Sequence, residues 1–365
     1  MRRRELLSLA ALAPLLGRAA VEPELDAWVS HTPMPGGAPT FASVSAAIAA
    51  APIEGQRPFR IGISAGRWTE KLLVDRPHVQ LIGAGRAQTI LSFAAAAGDR
   101  GPDGEPWGTW GCASLIIRAL DVQLHHLTVE NAFDYVGHLY DSNYQPIGAN
   151  GLQAVALMLD QGADRCVFED LEVHGHQDTL FVDHGRSRWR NCRISGSVDF
   201  IFGAGQAVFE RCRIHSRFRP GKPRQGYLAA PSTLRSEPVG LLFDQCLLQR
   251  DAEVPDGSVA LGRPWRPTRQ FADGRYGDPQ VAGMTVYRRC WMDAHIDRQA
   301  WDAMGYTARD GSRQMLEPAE ARFGEYRNHG PGAHRDEARP QLSGAANRSL
   351  SRQLAQSWDE LAIRG

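Results

Sequence analysis

Two aspartates, Asp178 and Asp199, each lead a short apolar run, Thr179-Leu180-Phe181 after the first and Phe200-Ile201-Phe202 after the second. They lie 21 residues apart, and other pairs around them recur at nearly the same interval: Trp189 and Phe209 are 20 apart, as are Cys192 and Cys212. A stretch that nearly repeats every 20 or 21 residues describes one coil stacked on the next, which brings the two acids side by side. Two neighbouring carboxylates resist ionising together, so one keeps its proton while the other stays charged. That yields an acid and a nucleophile or base from one residue type. Taken alone, the pattern fits corner aspartates that bond turn amides at least as well.

Further polar residues sit where such chemistry needs them. Gln177 precedes the first acid, and Gln153 heads an earlier run, Gln-Ala-Val-Ala-Leu, 24 residues before Gln177 and so close to one coil away. Side-chain amides there can stabilise a developing oxyanion. In Leu261-Gly262-Arg263-Pro264-Trp265, the arginine and tryptophan are two apart on an extended segment and face one side. Arg263 can clamp a carboxylate with two hydrogen bonds, and Trp265 can stack on a sugar ring. Each of these residues also has an ordinary structural use.

The elements that position them are short strands. One unit recurs: an aromatic or apolar residue, two polar residues, Cys or Leu, a polar residue, an apolar residue. It runs from Phe168 to Val173, Trp189 to Ile194, Phe209 to Ile214, Phe243 to Leu248 and Tyr287 to Met292, with a weaker copy from Leu124 to Val129. Short strands at a 20-to-22-residue period, without helices between them, predict an all-β chain coiled as a parallel β-helix rather than a sandwich, which would show hairpin turn signals. Equivalent residues on successive coils then stack about 4.8 Å apart. That spacing lies in the Cα range of a disulfide, so a Cys192–Cys212 bridge is expected. Cys246 and Cys290 fall in the same column, which leaves a packing role for the whole column open. Cys112 and Cys166 fall off the register and read as small buried residues.

Two helices flank the strands. Thr40 to Pro52 has a capping residue, apolar periodicity near 3.6 and a proline stop, predicting a short helix over about 40–51. The polar tail 335–365 carries Leu350, Leu354, Trp358 and Leu361 at helical spacing and should cover an end of the coil.

The chain has 365 residues, 41 basic and 41 acidic, which argues against a general nucleic-acid or membrane-surface partner. Its six cysteines include no Cys-x-x-Cys pair, so neither a disulfide scaffold nor a zinc site is indicated. Arg2-Arg3-Arg4, an apolar run from Leu6 to Leu16 and small residues to Ala20 describe an export signal over 1–20, in an order that also fits a twin-arginine signal. The catalytic body is then expected over 21–334, as a monomer.

Assembled, these motifs resemble the pectin methylesterases, and the bacterial branch in particular. The resemblance rests on Gly66-Arg-Trp-Thr-Glu70, Gln153-Ala-Val-Ala-Leu157, Gln177-Asp-Thr-Leu180, Asp199-Phe-Ile-Phe-Gly203, Leu261-Gly-Arg-Pro-Trp265 and the later Phe323-Gly-Glu-Tyr-Arg-Asn-His-Gly-Pro-Gly-Ala333. It implies a right-handed parallel β-helix that removes methyl esters from polygalacturonate, releasing methanol without a metal or other cofactor. Methyl-esterified homogalacturonan of plant cell walls would be the substrate, met by a secreted enzyme. Carried over by position, Asp199 would be the nucleophile and Asp178 the acid that protonates methanol, then the base for water. Gln177 would donate to the oxyanion with support from Gln153, and Arg263 would keep Asp199 ionised. Trp265, Thr109, Val198, Phe202, Phe181, Arg219, Thr268 and Met304 would line the sugar cleft. Trp68, His176 and Phe181 stand where the family usually has tyrosine; the last removes a hydroxyl from the wall but no reacting group. His174, His176 and His184 read as residues of the coil surface.

Rival readings keep the fold and change the reaction. A β-helix lyase needs a calcium-binding acid cluster plus a base, and a glycosidase needs acids spaced around a water; neither uses glutamines at 153 and 177. A relative acting on other acyl esters or thioesters, or one that only binds polysaccharide, is the remaining alternative.

Overall fold

The computed structural model describes residues 24–34, 37–144 and 151–359, so the expected export segment 1–20 lies outside the described residues. Strands stack into three sheets of 11, 8 and 7 members, and every pairing within these three sheets is parallel except at isolated bridges. Each coil contributes one strand to each sheet. In the longest sheet, Cys166–Glu169, Arg186–Arg190, Gln206–Glu210, Leu241–Asp244 and Met284–Arg288 follow one another as rungs. This is the parallel β-helix that the repeat predicts.

The recurring unit builds the corner between two sheets. Its third residue is Asp170, Asn191, Arg211, Gln245 or Arg289, and each takes a left-handed backbone with φ between 52° and 55°. Such a conformation costs a non-glycine residue about 1 kcal/mol. The coil above offsets it by accepting the corner amide: Asn191 N donates to Glu210 O at 3.2 Å, Arg211 N to Asp244 O at 3.0 Å, and Gln245 N to Arg288 O at 3.0 Å. The first residue of each unit points inward. Phe168, Trp189, Phe209, Phe243 and Tyr287 form one stacked column, with ring centroids 3.8, 5.7, 4.7 and 4.5 Å apart. All five are fully buried.

The fourth position holds the cysteines, and here the expected bridge does not form. Cys192, Cys212, Cys246 and Cys290 stack as one buried column of free thiols. Parallel rungs carry their Cα–Cβ bonds in the same direction, whereas a disulfide needs its two Cβ atoms to converge to about 3.8 Å. Each sulfur instead meets backbone carbonyls: Cys192 Sγ with Arg190 O at 3.2 Å, Cys212 Sγ with Trp189 O at 3.5 Å, and Cys246 Sγ with Phe209 O at 3.3 Å. Alkylation in denaturant without reductant should therefore label all six cysteines by mass, as free thiols. Labelling of only four would restore the bridge.

The N-terminal helix, α1 (Val44–Ala49), is shorter than the predicted span. Thr40–Phe41 instead pairs as a strand with Trp28–Val29, and Ser43 takes the cap by accepting from Ala46 N. The Glu70 carboxylate also accepts from Val44 N at 2.7 Å and Ser45 N at 3.0 Å, so the motif beginning at Gly66 caps this helix. A second, single-turn helix, α2 (Gly108–Gly111), interrupts the coils. At the other end, the tail closes the last rung. Glu325 N donates to Pro340 O and Leu342 N to Glu325 O, both at 2.8 Å, while the buried Arg339 guanidinium holds the Glu325 carboxylate with two donors at 2.7 Å. The final helix, α3 (Gly344–Asp359), then lies along the flank of the longest sheet, where Leu350 and Leu354 pack on Val208, Leu242 and Val286.

Candidate active site

The acids lead strands of the seven-membered sheet, in which Leu157–Leu159, Leu180–Val182, Ile201–Gly203 and Gly226–Pro231 are successive rungs. Leu180 is paired with Ile201, so Asp178 and Asp199 are coil equivalents, and Asp178 N donates to Val198 O at 3.0 Å. Both acids adopt left-handed backbone, φ 61° and 48°, and both are buried. Gly203 closes the second motif because its φ is +124° and a Cβ there would meet Val182 O at 2.0 Å. Only glycine allows that approach.

The two carboxyls have different surroundings. Arg263 Nε donates to Asp199 Oδ1 at 2.9 Å and Arg263 Nη2 to Asp199 Oδ2 at 2.6 Å. Burial works against the guanidinium's charge, but the Asp199 carboxylate more than offsets it and keeps Arg263 firmly protonated. The guanidinium also lies 3.9 Å over the Tyr227 ring. Among the described residues, Asp178 has no such partner. Burial, then the charge of Asp199, pushes its carboxyl well above the usual range, against a smaller downward pull from Arg263. The site thus holds one arginine-clamped carboxylate beside one carboxyl inclined to keep its proton.

That asymmetry has a cost in stability that grows with pH. An acid whose folded pKa is raised contributes stability below its unfolded pKa and loses it as pH rises through the folded value. Asp178→Asn should therefore gain thermal stability relative to the parent as pH is raised, read as a widening difference in Tm. A difference independent of pH would contradict the raised pKa.

The glutamines flank the pair. The Gln177 side chain makes no hydrogen bond to another described residue, and Gln153 Oε1 is buried without a partner among them. Gln153 is one step off strict register: Leu157 pairs with Leu180, which makes Ala154 the equivalent of Gln177, and Ala154 N donates to Gln177 O at 3.1 Å. Both amides are nonetheless at the same edge of the sheet as the acids.

The outer face of this sheet carries an apolar ladder of Ile116, Met158, Phe181, Phe202 and Ala230. Trp265 packs on it, its ring centroid 5.7 Å from Phe202 and 6.1 Å from Phe181. Phe181 and Phe202 stack at 4.1 Å, but Phe181 has no exposed surface and Phe202 is only 3% exposed. Val198 is buried beside Asp199. Burial pushes the Tyr135 hydroxyl's pKa up against a smaller downward pull from the nearby Arg219, and the Tyr135 ring stacks on His176 at 4.8 Å, just before Gln177. Thr109 sits on α2. Thr268 and Met304 lie outside the coils, on two antiparallel hairpins linked by Arg266 over the Tyr306 ring, and neither hydrogen-bonds to the acid pair. His176 is not at the surface as expected: it is buried, and burial holds its imidazole neutral, at about 3.

These features coincide with a known group of proteins. The family model for pectinesterases matches residues 33–357. The chain belongs to the pectinesterase family. It is 38% identical over 310 residues to pectinesterase A of Dickeya dadantii, covering 84% of each chain. Among solved structures, it resembles the pectin methylesterase PemA from Erwinia chrysanthemi at TM-score 0.84 and 38% identity, covering 90% of this chain and 95% of that one. The pectin methylesterase from Yersinia enterocolitica follows at TM-score 0.81 and 40% identity, over 85% and 96%. This chain is thus a pectinesterase of the bacterial branch, as its motifs indicated.

Three residues beside the candidate site escaped sequence reasoning: Trp110, against Phe181 and Trp265, Tyr135, against His176, and Tyr227, under Arg263. Each lies in a segment between motifs, where no periodicity marks it. A cavity of about 760 Å³ beside α3, lined in part by Asp183, His184, Glu237 and Arg269, is at the opposite end of the strand Leu180–Val182 from Asp178 and shares no residue with the acid pair. Asp160, Asp183 and His184 approach one another within 4.8 Å at that far end. Arg118 already holds Asp160 at 2.7 Å, and His184 is 3.1 Å from Asp183.

Proposed function

We propose that this pectinesterase hydrolyses the methyl esters of polygalacturonate, releasing methanol, through an acyl-enzyme on Asp199. The observation that carries the reading is the division of labour in the acid pair. Arg263 keeps the Asp199 carboxylate charged and aimed, while burial and that same charge keep a proton on Asp178. Asp199 attacks the C6 carbonyl of a galacturonate methyl ester, and the carbonyl π electrons move to oxygen. Gln177 donates its free amide to that oxyanion, with Gln153 beside it. As the intermediate collapses, the C6–OCH₃ bond breaks and Asp178 gives its proton to the departing methoxide. Asp178, now a carboxylate, takes a proton from water as the water adds to the acyl carbon. Asp199 leaves, and both groups return to their starting states. Trp265, backed by the buried apolar ladder, seats the sugars, and Arg219 supplies positive charge near Gln177.

The chemistry of the residues needs no metal or organic cofactor at any step. A polymeric substrate is met outside the cytoplasm, in keeping with the basic and apolar N-terminal segment. The purified chain should release methanol from highly methylated pectin and leave the backbone uncut. New reducing ends would instead indicate a glycosidase, and unsaturated products a lyase.

A further inference from the structure

We propose that Trp110 is a specificity-determining residue of the cleft, one that favours galacturonate units carrying the methyl ester over units carrying a free carboxylate. The inference rests on the pectin methylesterase reading above and says which form of the polymer its cleft selects.

The aromatic wall expected at Phe181 is not presented by Phe181. That ring is fully buried, and Trp110 covers it edge-on with centroids 5.4 Å apart. Trp110 also lies 6.2 Å from Trp265, and its own side is 50% exposed. It is therefore no isolated surface tryptophan: it is the outer layer of the apolar ladder that leaves the acid pair. Its position is held from within the site. Cys112, which ends α2, is buried; its sulfur meets Gln153 O and accepts from Val155 N, both at 3.5 Å. Asn131 Nδ2 binds the Cys112 carbonyl at 3.3 Å. The short helix thus ties the indole to the backbone of the candidate oxyanion donor.

An exposed indole here discriminates by charge. A carboxylate brought against aromatic faces gives up hydration and meets the negative side of the π system, with no compensating donor from the wall. Arg263 is engaged elsewhere, with Nε and Nη2 both on Asp199. A methyl ester is neutral, loses little hydration and buries its methyl group against the ring. Phe181 in place of a tyrosine strengthens the effect, because no hydroxyl remains beneath the indole to greet a carboxylate.

The test compares the intact chain with Trp110→Ala and Trp110→Lys on highly and sparsely methylated pectin, following methanol release, with unesterified oligogalacturonate as competing ligand. For Trp110→Ala, kcat/KM on highly methylated pectin should drop about tenfold through KM, with a smaller change on the sparsely methylated polymer. Because removing the indole uncovers the Phe181 ring, Trp110→Lys is the sharper variant: it should shift preference towards sparse methylation and tighten inhibition by the unesterified oligomer. Unchanged preference and unchanged inhibition in both variants would overturn the role of Trp110 while leaving the enzyme a methylesterase. No methanol from the parent chain on either polymer would instead overturn the underlying reading. Equal losses on both polymers, with unchanged inhibition, would mark Trp110 as merely structural and also overturn it.

Discussion

Asp199→Ala is expected to abolish methanol release from highly methylated pectin, a loss on the order of 10⁵- to 10⁶-fold in kcat, the scale reached when a covalent nucleophile is removed. The size follows from the mechanism, because no other group at the site combines a maintained negative charge with aim. Asp199 has both oxygens on Arg263, at 2.9 and 2.6 Å, so the guanidinium pairs with its carboxylate and fixes its orientation. The alanine variant leaves a largely buried guanidinium without its anion, a situation that costs about 3 kcal/mol or more in stability. Loss of activity could then reflect unfolding. Asp199→Asn separates the two, since it keeps a hydrogen-bonding group near Arg263 but cannot attack. It should lose less Tm than the alanine variant, remain folded at the assay temperature and still release no methanol. Turnover within tenfold of the parent in a folded Asp199→Asn variant would remove Asp199 from the nucleophile's role.

Asp178→Asn should lower kcat by about 10²- to 10⁴-fold, the usual contribution of a positioned acid and base, while KM for pectin changes little. Its pH dependence is more diagnostic than its size. In the parent, Asp178 must carry a proton for methanol to leave, and burial with the neighbouring Asp199 charge raises its pKa. Activity should therefore fall as pH rises through that raised value. Asparagine has no proton to lose, so the residual activity of the variant should lack this alkaline fall, and should climb with pH as hydroxide replaces the missing base. An alkaline limb identical to that of the parent would assign it to another group. The same substitution should make the protein relatively more stable at high pH, so a single variant links the catalytic and the folding consequences of one buried carboxyl.

Much of this arrangement is legible along the chain because a β-helix writes its register into sequence spacing. The 21-residue interval between Asp178 and Asp199 is one coil, as the pairing of Leu180 with Ile201 shows. Arg263, two positions before Trp265, reaches back to the acid one would choose for it. The aromatic column and the left-handed corners follow the same unit, residue for residue. Spacing fails where direction matters. Cys192 and Cys212 occupy adjacent rungs, but parallel Cα–Cβ bonds keep their sulfurs on separate carbonyls. It fails too where a loop inserts between coils: Gln153 sits one step off register, and His176 is drawn under Tyr135 rather than left at the surface.

The amino-acid sequence by itself thus determined the coil, its period, the stacked acids and the family, because those depend on contacts between residues a fixed 20 or so apart. The tertiary structure decided which acid keeps its proton and which surface the substrate meets. Those properties depend on burial and on segments brought together from far along the chain. Arg263 approaches Asp199 across 64 residues, and Trp110 covers Phe181 across 71. No local pattern encodes either meeting, since each is made only when the coils stack and the loops fold back over the sheet's outer face.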